Sequence, residues 1–467
     1  MFATTSIARD STRANQPTCL IITDDGIFWP LTRYFRRRNF SLSSELGYSL
    51  AISRALNWSS AREDNPILNP ADRLDAFGRF LHDLRGGTIR EDDDPSGLWW
   101  EPLSAANVRI TAQRVAEFGD WLALSGEGDS INPKSRAASG AERVLAMRSF
   151  AISKSGSMMA HAKSLAKNRA SSAKAREVAS PGRRSVALPE IAAFPLDGVK
   201  ELLFEGFEIE RHKDDSRLWM RYNLRDMLIT LICLYGGCRM SEAMHLWVDD
   251  VFESPLNPES CKLLIHDPED GLVEFTHPLT GVQSSTSRLD YLNRFCCGKR
   301  PLTQETGRRR AGWKGNLITN RERKAFEVFW IDPEAGALFR KLWRLYLRKK
   351  RPPQENTPWA FLTKDGQPMG PAAYGDSLRA AVKKIGFTSA KWSGTTPHGL
   401  RHRYGQWLND LAVDQKLGQV AMHHKSVSSQ AVYRSVSSES VAEALSGGLG
   451  SEISLISGVA PGGFNAE

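Results

Sequence analysis

The feature that most constrains this chain is a short apolar run, Met227 to Tyr235, followed at once by Gly236-Gly237. It is far shorter than the roughly 20 apolar residues a membrane-spanning helix needs, and no other run in the chain comes closer. A helix over about Arg221 to Tyr235 that carries this apolar run therefore has to lie inside a protein core. The paired glycines end it, and a new helix is expected to start near Arg239. Hydrophobic content of 41% and charged content of 25% are those of a folded globular chain. At 467 residues that chain is long enough for two or three domains.

Around this core the periodicity predicts a mainly α protein with a small β-sheet. Leu31, Tyr34 and Phe35, then Leu46, Leu50, Ile52 and Leu56, recur at helical spacing, with Ser43 and Ser44 as helix starters. A helix through Leu74, Phe77, Phe80, Leu81 and Leu84 stops at Gly86-Gly87, and another spans about Ala105 to Leu124. Residues 1–30 show little periodicity and read as an N-terminal arm, 31–130 as a helical domain, and 131–188 as a basic linker with a helix around Ala160 to Arg176. A second domain, 189–446, opens over Ala192 to Phe207. It contains strands at Cys261–Ile265 and Phe326–Ile331, and helices at Ala335–Lys350, Pro371–Ile385, Leu400–Leu411, Asp414–Met422 and Ser437–Leu445. The polar, turn-rich stretch of about 267–312 is too long for an ordinary connection and reads as an insertion; 447–467 reads as a flexible tail.

Charge indicates the partner. The net charge is +9, yet residues 134–184 hold twelve basic residues against two acidic ones, leaving the remainder close to neutral. A segment so lopsided, spaced by Ala and Ser, is expected to lie against a polyanion. Lys154, Lys163, Lys167, Arg169 and Lys174 are its candidate contacts, and the basic-aromatic cluster Tyr34 to Arg38 adds Arg36, Arg37 and Arg38. The six cysteines form no C-x-x-C pair, so neither a zinc site nor a disulfide framework is expected. Free thiols and the lack of a signal-peptide pattern at the N-terminus point to the cytoplasm.

No phosphate-binding loop, dinucleotide fingerprint or H-E-x-x-H motif is present. What stands out is a dispersed set: Arg239 in G-G-C-R-M-S-E, His398 and Arg401 in P-H-G-L-R-H, His424 in M-H-H-K-S and Tyr433 in Q-A-V-Y-R. Taken singly, each is ordinary: a solvated arginine paired to Glu242, a capping histidine, a half-buried tyrosine. Taken together, they suit phosphoryl transfer. Two guanidiniums neutralise the oxygens of a pentavalent phosphorane, a histidine serves as base, and a tyrosine hydroxyl attacks once that field assists loss of its proton.

This ordered set resembles the tyrosine recombinase, or phage integrase, family, whose signature is Arg, Lys, His-x-x-Arg, His or Trp, and Tyr. Tyr235 to Glu242 is similar to the first arginine box, Thr396 to His402 to the second, and Met422 to Tyr433 to the stretch joining the third histidine to the nucleophile. The resemblance covers about Pro189 to Leu445. It implies an α+β catalytic domain behind a helical core-binding domain, with Arg239, His398, Arg401, His424 and Tyr433 as catalytic residues and Glu242, His402 and His423 in support. It further implies a 3′-phosphotyrosyl intermediate needing neither ATP nor metal, no cofactor, and a tetramer on double-stranded DNA sites with accessory directionality or DNA-bending proteins. The make-up resembles an integrase of a mobile element, of the gamma-mobile-trio type.

The chain departs from the family pattern in two places. His423 stands where the family usually has Gly, so either His423 or His424 faces the phosphate; the nine-residue spacing to Tyr433 favours His424. The interval from Arg239 to His398 is long and obscures the family's lysine. The segment Trp313 to Asn316, W-K-G-N, resembles the lysine turn and points to Lys314, with Lys324 the alternative. Two other activities fit the same residues: relaxation of DNA in the manner of a type IB topoisomerase, and DNA binding without cleavage.

Overall fold

The computed structural model describes residues 3–13, 16–61, 70–155, 172–179, 192–255, 257–352 and 356–425. The chain divides into two units, Met1–Val186 and Ala187–Glu467.

The first unit opens with strands rather than the expected arm. β1 (Thr4–Asp10) and β2 (Gln16–Thr23) pair antiparallel along their whole length, and β3 (Gly26–Ile27) adds a short third strand. Only β2 carries an apolar run, and Cys19 and Ile21 are fully buried. The sheet is tied to the helices by buried Glu45, which accepts from the Thr18 hydroxyl at 2.9 Å and the Cys19 amide at 3.0 Å. Four helices follow, α1 (Trp29–Arg38), α2 (Leu42–Ser60), α3 (Pro70–Gly86) and α4 (Ala105–Ser125). Ser41, rather than Ser43 or Ser44, caps α2. Tyr34 of α1 centres the aromatic core, with ring centroids of Phe40, Tyr48, Phe118 and Trp121 between 5.3 and 5.5 Å away.

In the basic stretch, β4 (Arg136–Ala137) pairs with β5 (Lys174–Ala175), and α5 (Gly140–Ser155) begins between them. Lys174 thus lies on a two-residue strand, not in the expected helix, because pairing with Ala137 overrides the helical propensity of an Ala-rich segment. The helix expected around Ala160 otherwise falls largely outside the described residues, as do the Ser437–Leu445 helix and the 447–467 tail.

The second unit is built around α6 (Leu224–Leu234), in which every residue but Arg225 is buried. It is the inner helix that the apolar run demanded, started by the Asn223 side chain accepting from the Asp226 amide. Ala192 to Phe207 holds only one helical turn, Val199–Glu201, continued by a wider turn over Leu202–Gly206. A three-stranded antiparallel sheet of order β10-β7-β6 packs into the same core: β6 (Val251–Glu253), β7 (Cys261–His266) and β10 (Ala325–Val328), with Phe326 opposite Ile265.

The 267–312 stretch is built into this unit rather than appended to it as loop. It forms a hairpin, β8 (Leu272–Thr276) with β9 (Gln283–Ser287), then α8 (Arg288–Phe295), and it buries Leu292, Cys296, Leu302 and Ala311 in the common core. Arg288, 1% exposed, pairs with Asp250, donates to the His245 carbonyl at 2.9 Å and lies 4.1 Å over the Trp247 ring. The strand Q-S-S-T-S carries no apolar residue, so hydropathy patterning gives no sign of it. Helices α9 (Pro333–Lys349), α10 (Pro371–Lys384), α11 (Pro397–Asp410) and α12 (Gln415–Ala421) complete the unit. No helix of the described residues is long and apolar enough to cross a membrane.

Candidate active site

The site forms where the end of α6 meets the start of α11. Gly237 has φ +66, and a Cβ there would sit 2.5 Å from the Tyr404 ring of α11, so only glycine permits the approach. The chain then turns into the short helix α7 (Met240–Ala243), with Arg239 at its N-cap. Glu242, 1% exposed, accepts the Arg239 backbone amide at 2.7 Å and also bonds its guanidinium. The same carboxylate lies 3.6 Å from Arg401. Burial works to raise its pKa, but Arg401, Arg239 and His423 outweigh burial and hold it below the usual carboxylate range.

Arg401, 1% exposed, donates to the Gly237 carbonyl at 2.5 Å and the Met422 carbonyl at 2.6 Å, and its Nη2 lies 2.9 Å from Nε2 of His424. Nε2 therefore accepts, and His424 is neutral: burial first, then Arg401 and Arg239, press its pKa down to about 3. His398 is the second residue of α11, exposed, its ring 4.1 Å from that of His402. Desolvation by the protein around the ring's inner side and the cations Arg401, Lys314, Arg239 and Lys391 lower its pKa, so it stands as a neutral imidazole able to take a proton. His402 is pushed down to about 4, chiefly by burial and then by His398 and Arg401.

His423 and His424 have different surroundings. His423 has φ +54, the left-handed conformation that glycine adopts without strain. Its ring lies 3.9 Å from Phe326, its Nε2 donates to the Glu327 carbonyl at 2.8 Å, and burial holds its pKa down at about 4. His423 packs into the core; His424 faces the arginine.

The 313–317 turn is joined to the same cluster. Arg239 donates to Asn316 Oδ1 at 2.8 Å, the Leu317 amide to the His423 carbonyl at 3.2 Å, and Trp313 stacks on Phe326 at 5.8 Å. Lys314 is exposed on this turn, and its charge is among those acting on His398. Lys324 lies at φ +50 in the Asn320–Ala325 turn leading into β10. Asn316 as an anchor for Arg239 is a residue that motif spacing did not single out, because the two are 77 positions apart. Tyr433 lies outside the described residues.

Cys238, Glu242 and His423 present ligand-type atoms within 4.8 Å of one another. Glu242 is already committed to two guanidiniums, and a third cation beside Arg239 and Arg401 is electrostatically disfavoured, so this cluster does not suit a metal. All six cysteines are free.

Among the expected DNA contacts of the first unit, Arg36 is engaged by Asp10 in a two-pronged pair at 2.8 and 3.1 Å. Arg37 and Arg38 lie 5.5 and 5.9 Å over the Trp121 and Tyr34 rings. Lys174 is exposed. Lys154 lies in α5 with its side chain outside the described set; Lys163, Lys167 and Arg169 are outside it altogether.

Residues 338–440, the stretch that carries His398, Arg401, His424 and Tyr433, match the model of the phage integrase family. Solved structures of similar arrangement include a XerH site-specific recombinase bound to palindromic difH substrate in a post-cleavage complex. It is 14% identical over 88% of this chain and 81% of that one, with a TM-score of 0.49. The Tn1549 transposon integrase in complex with circular intermediate DNA is 14% identical over 90% and 99%, with a TM-score of 0.46. Lambda integrase (residues 75–356) bound to DNA is 11% identical over 87% and 94%, with a TM-score of 0.37. No curated protein matches the chain.

Proposed function

We propose that the protein is a site-specific DNA recombinase that cuts and rejoins double-stranded DNA through a covalent bond to Tyr433. The observation that carries this reading is the joint placement of Arg239, Arg401, His424 and the Lys314 turn around one carboxylate, Glu242. Such a cluster supplies a cationic field and hydrogen-bond donors for a phosphorane. The Tyr433 hydroxyl attacks phosphorus as His398 takes its proton. The bond to the 5′ oxygen breaks, and Lys314 gives that oxygen a proton. The 3′ phosphate stays on Tyr433 until a 5′ hydroxyl of a partner strand attacks in turn. The phosphodiester energy is retained in the phosphotyrosine, so no nucleotide hydrolysis is needed. The recombining unit is a tetramer on two sites. Residues 31–130 and the basic 131–188 segment hold the duplex, with Arg37, Arg38 and Lys174 on phosphates.

The test is a library of nicked duplexes of randomised sequence, incubated with the protein, quenched in detergent and recovered with it. Wild type is expected to retain a defined sequence covalently, and Tyr433→Phe none. An adduct that persists in Tyr433→Phe overturns the nucleophile; none with wild type overturns the function.

A further inference from the structure

We infer that Asn316 is a positioning residue that couples the Lys314 turn to the phosphate-binding Arg239. The inference rests on the recombinase reading above and adds a part to it.

Asn316 is 6% exposed, and its Oδ1 accepts from Arg239 Nη1 at 2.8 Å. Its Nδ2 is buried with no hydrogen-bond partner among the described residues. A buried amide donor left unmatched costs about 1–3 kcal/mol, so an apolar residue of similar size would serve stability better. The side chain is therefore retained for what its oxygen does.

That oxygen connects two groups with different tasks. Arg239 belongs to the neutralisation of the phosphorane, whereas Lys314, two residues before Asn316, belongs to the leaving oxygen. The turn between them has little freedom. Gly315 has φ +67, and a Cβ there would meet Lys425 Nζ at 2.6 Å. Leu317 is bonded to the His423 carbonyl, and Trp313 lies against Phe326 and His245, at 5.8 and 5.6 Å. With both flanks anchored, the Asn316–Arg239 bond sets where the Lys314 backbone stands relative to the bound phosphate. A misplacement of about 1 Å is enough to cost on the order of 100-fold in rate.

Two substrates separate this role from a general one. The duplex recovered in the selection above is prepared with its normal 5′ bridging oxygen and with sulfur in that place; a thiolate departs without a proton, so it removes the need for an acid. Asn316→Ala is expected to slow single-turnover adduct formation about 10- to 100-fold on the oxygen substrate and to return to within about threefold of wild type on sulfur. Combined with Lys314→Ala it should be no slower than Lys314→Ala alone. Gly315→Ala, which moves the same turn without touching Asn316, should show the same sulfur-rescued defect and covers the case in which Asn316→Ala fails to fold. A defect of equal size on both substrates, or none on either, overturns the inference while leaving the recombinase reading intact. Absence of any adduct with wild type overturns both.

Discussion

The carboxylate of Glu242 holds Arg239 twice, once by its backbone amide at 2.7 Å and once by its guanidinium. It thereby starts a helix and orients a side chain in one contact, while standing 3.6 Å from Arg401. Glu242→Ala leaves two neighbouring guanidiniums without their shared counter-charge and is expected to destabilise the fold by about 3–5 kcal/mol. Glu242→Gln, which keeps an acceptor, should lose less. Urea denaturation of the three proteins gives the comparison, and equal stability of Ala and Gln variants would refute it.

Arg401→Lys keeps the charge but cannot reach Gly237, Met422 and His424 from one planar group. Adduct formation should fall about 100-fold or more, with DNA affinity changed less than about fivefold. A variant as fast as wild type in single-turnover trapping would mean the fork geometry is dispensable.

Histidines held below their ordinary pKa give stability a pH dependence. His245, His402 and His423 are held near 4 and His424 near 3, below the ordinary histidine value. As pH falls below about 6.5 the unfolded chain takes up protons that the folded chain refuses, so stability is complete above that pH. It should decline from there toward pH 4. Melting temperature measured from pH 8 to 4.5 should show this fall, and His402→Gln should flatten it.

The basic cluster of α1 divides into two kinds of residue. Arg36 is the partner that holds the Asp10 carboxyl down at about 2, so Arg36→Ala should lower the melting temperature and leave DNA binding alone. Arg37→Ala and Arg38→Ala should each reduce the slope of log affinity against log salt by about 1. The opposite assignment, with Arg36 changing the slope, would show that the pair opens on DNA.

The close approach at the end of α6 can be tested alone. Gly237→Ala adds a Cβ 2.5 Å from the Tyr404 ring at φ +66, and is expected to cost about 2–4 kcal/mol in chemical denaturation.

What could be read from the chain divides along physical lines. The α6 run and the four helices between Pro333 and Ala421 were legible because periodicity is a local signal, whereas Arg239 and Arg401, far apart in the chain, were grouped only through the chemistry and family resemblance of their motifs. The N-terminal sheet was not: β1 is mostly exposed, and β2 shows a bare apolar patch without alternation. The Ser/Thr strand β9 and the burial of Arg288 were hidden for a related reason, since a charged residue beside polar ones looks solvated until Asp250 and Trp247 are placed around it. Asn316 needed the three-dimensional contact. The φ of His423 accounts for the one departure in the histidine motif: a glycine-type conformation is met here by an imidazole with its own packing and hydrogen bond.

Arg401 is enclosed, with three of its five N–H donors engaged by two carbonyls and an imidazole. In the proposed reaction, a phosphate oxygen that takes one of these three donors replaces an existing acceptor, not water. Such an exchange trades one hydrogen bond for another and gains little while the phosphate is still tetrahedral. The advantage grows only as negative charge accumulates on that oxygen during the reaction, so a guanidinium that looks inaccessible at rest is one that discriminates between the ground state and the transition state.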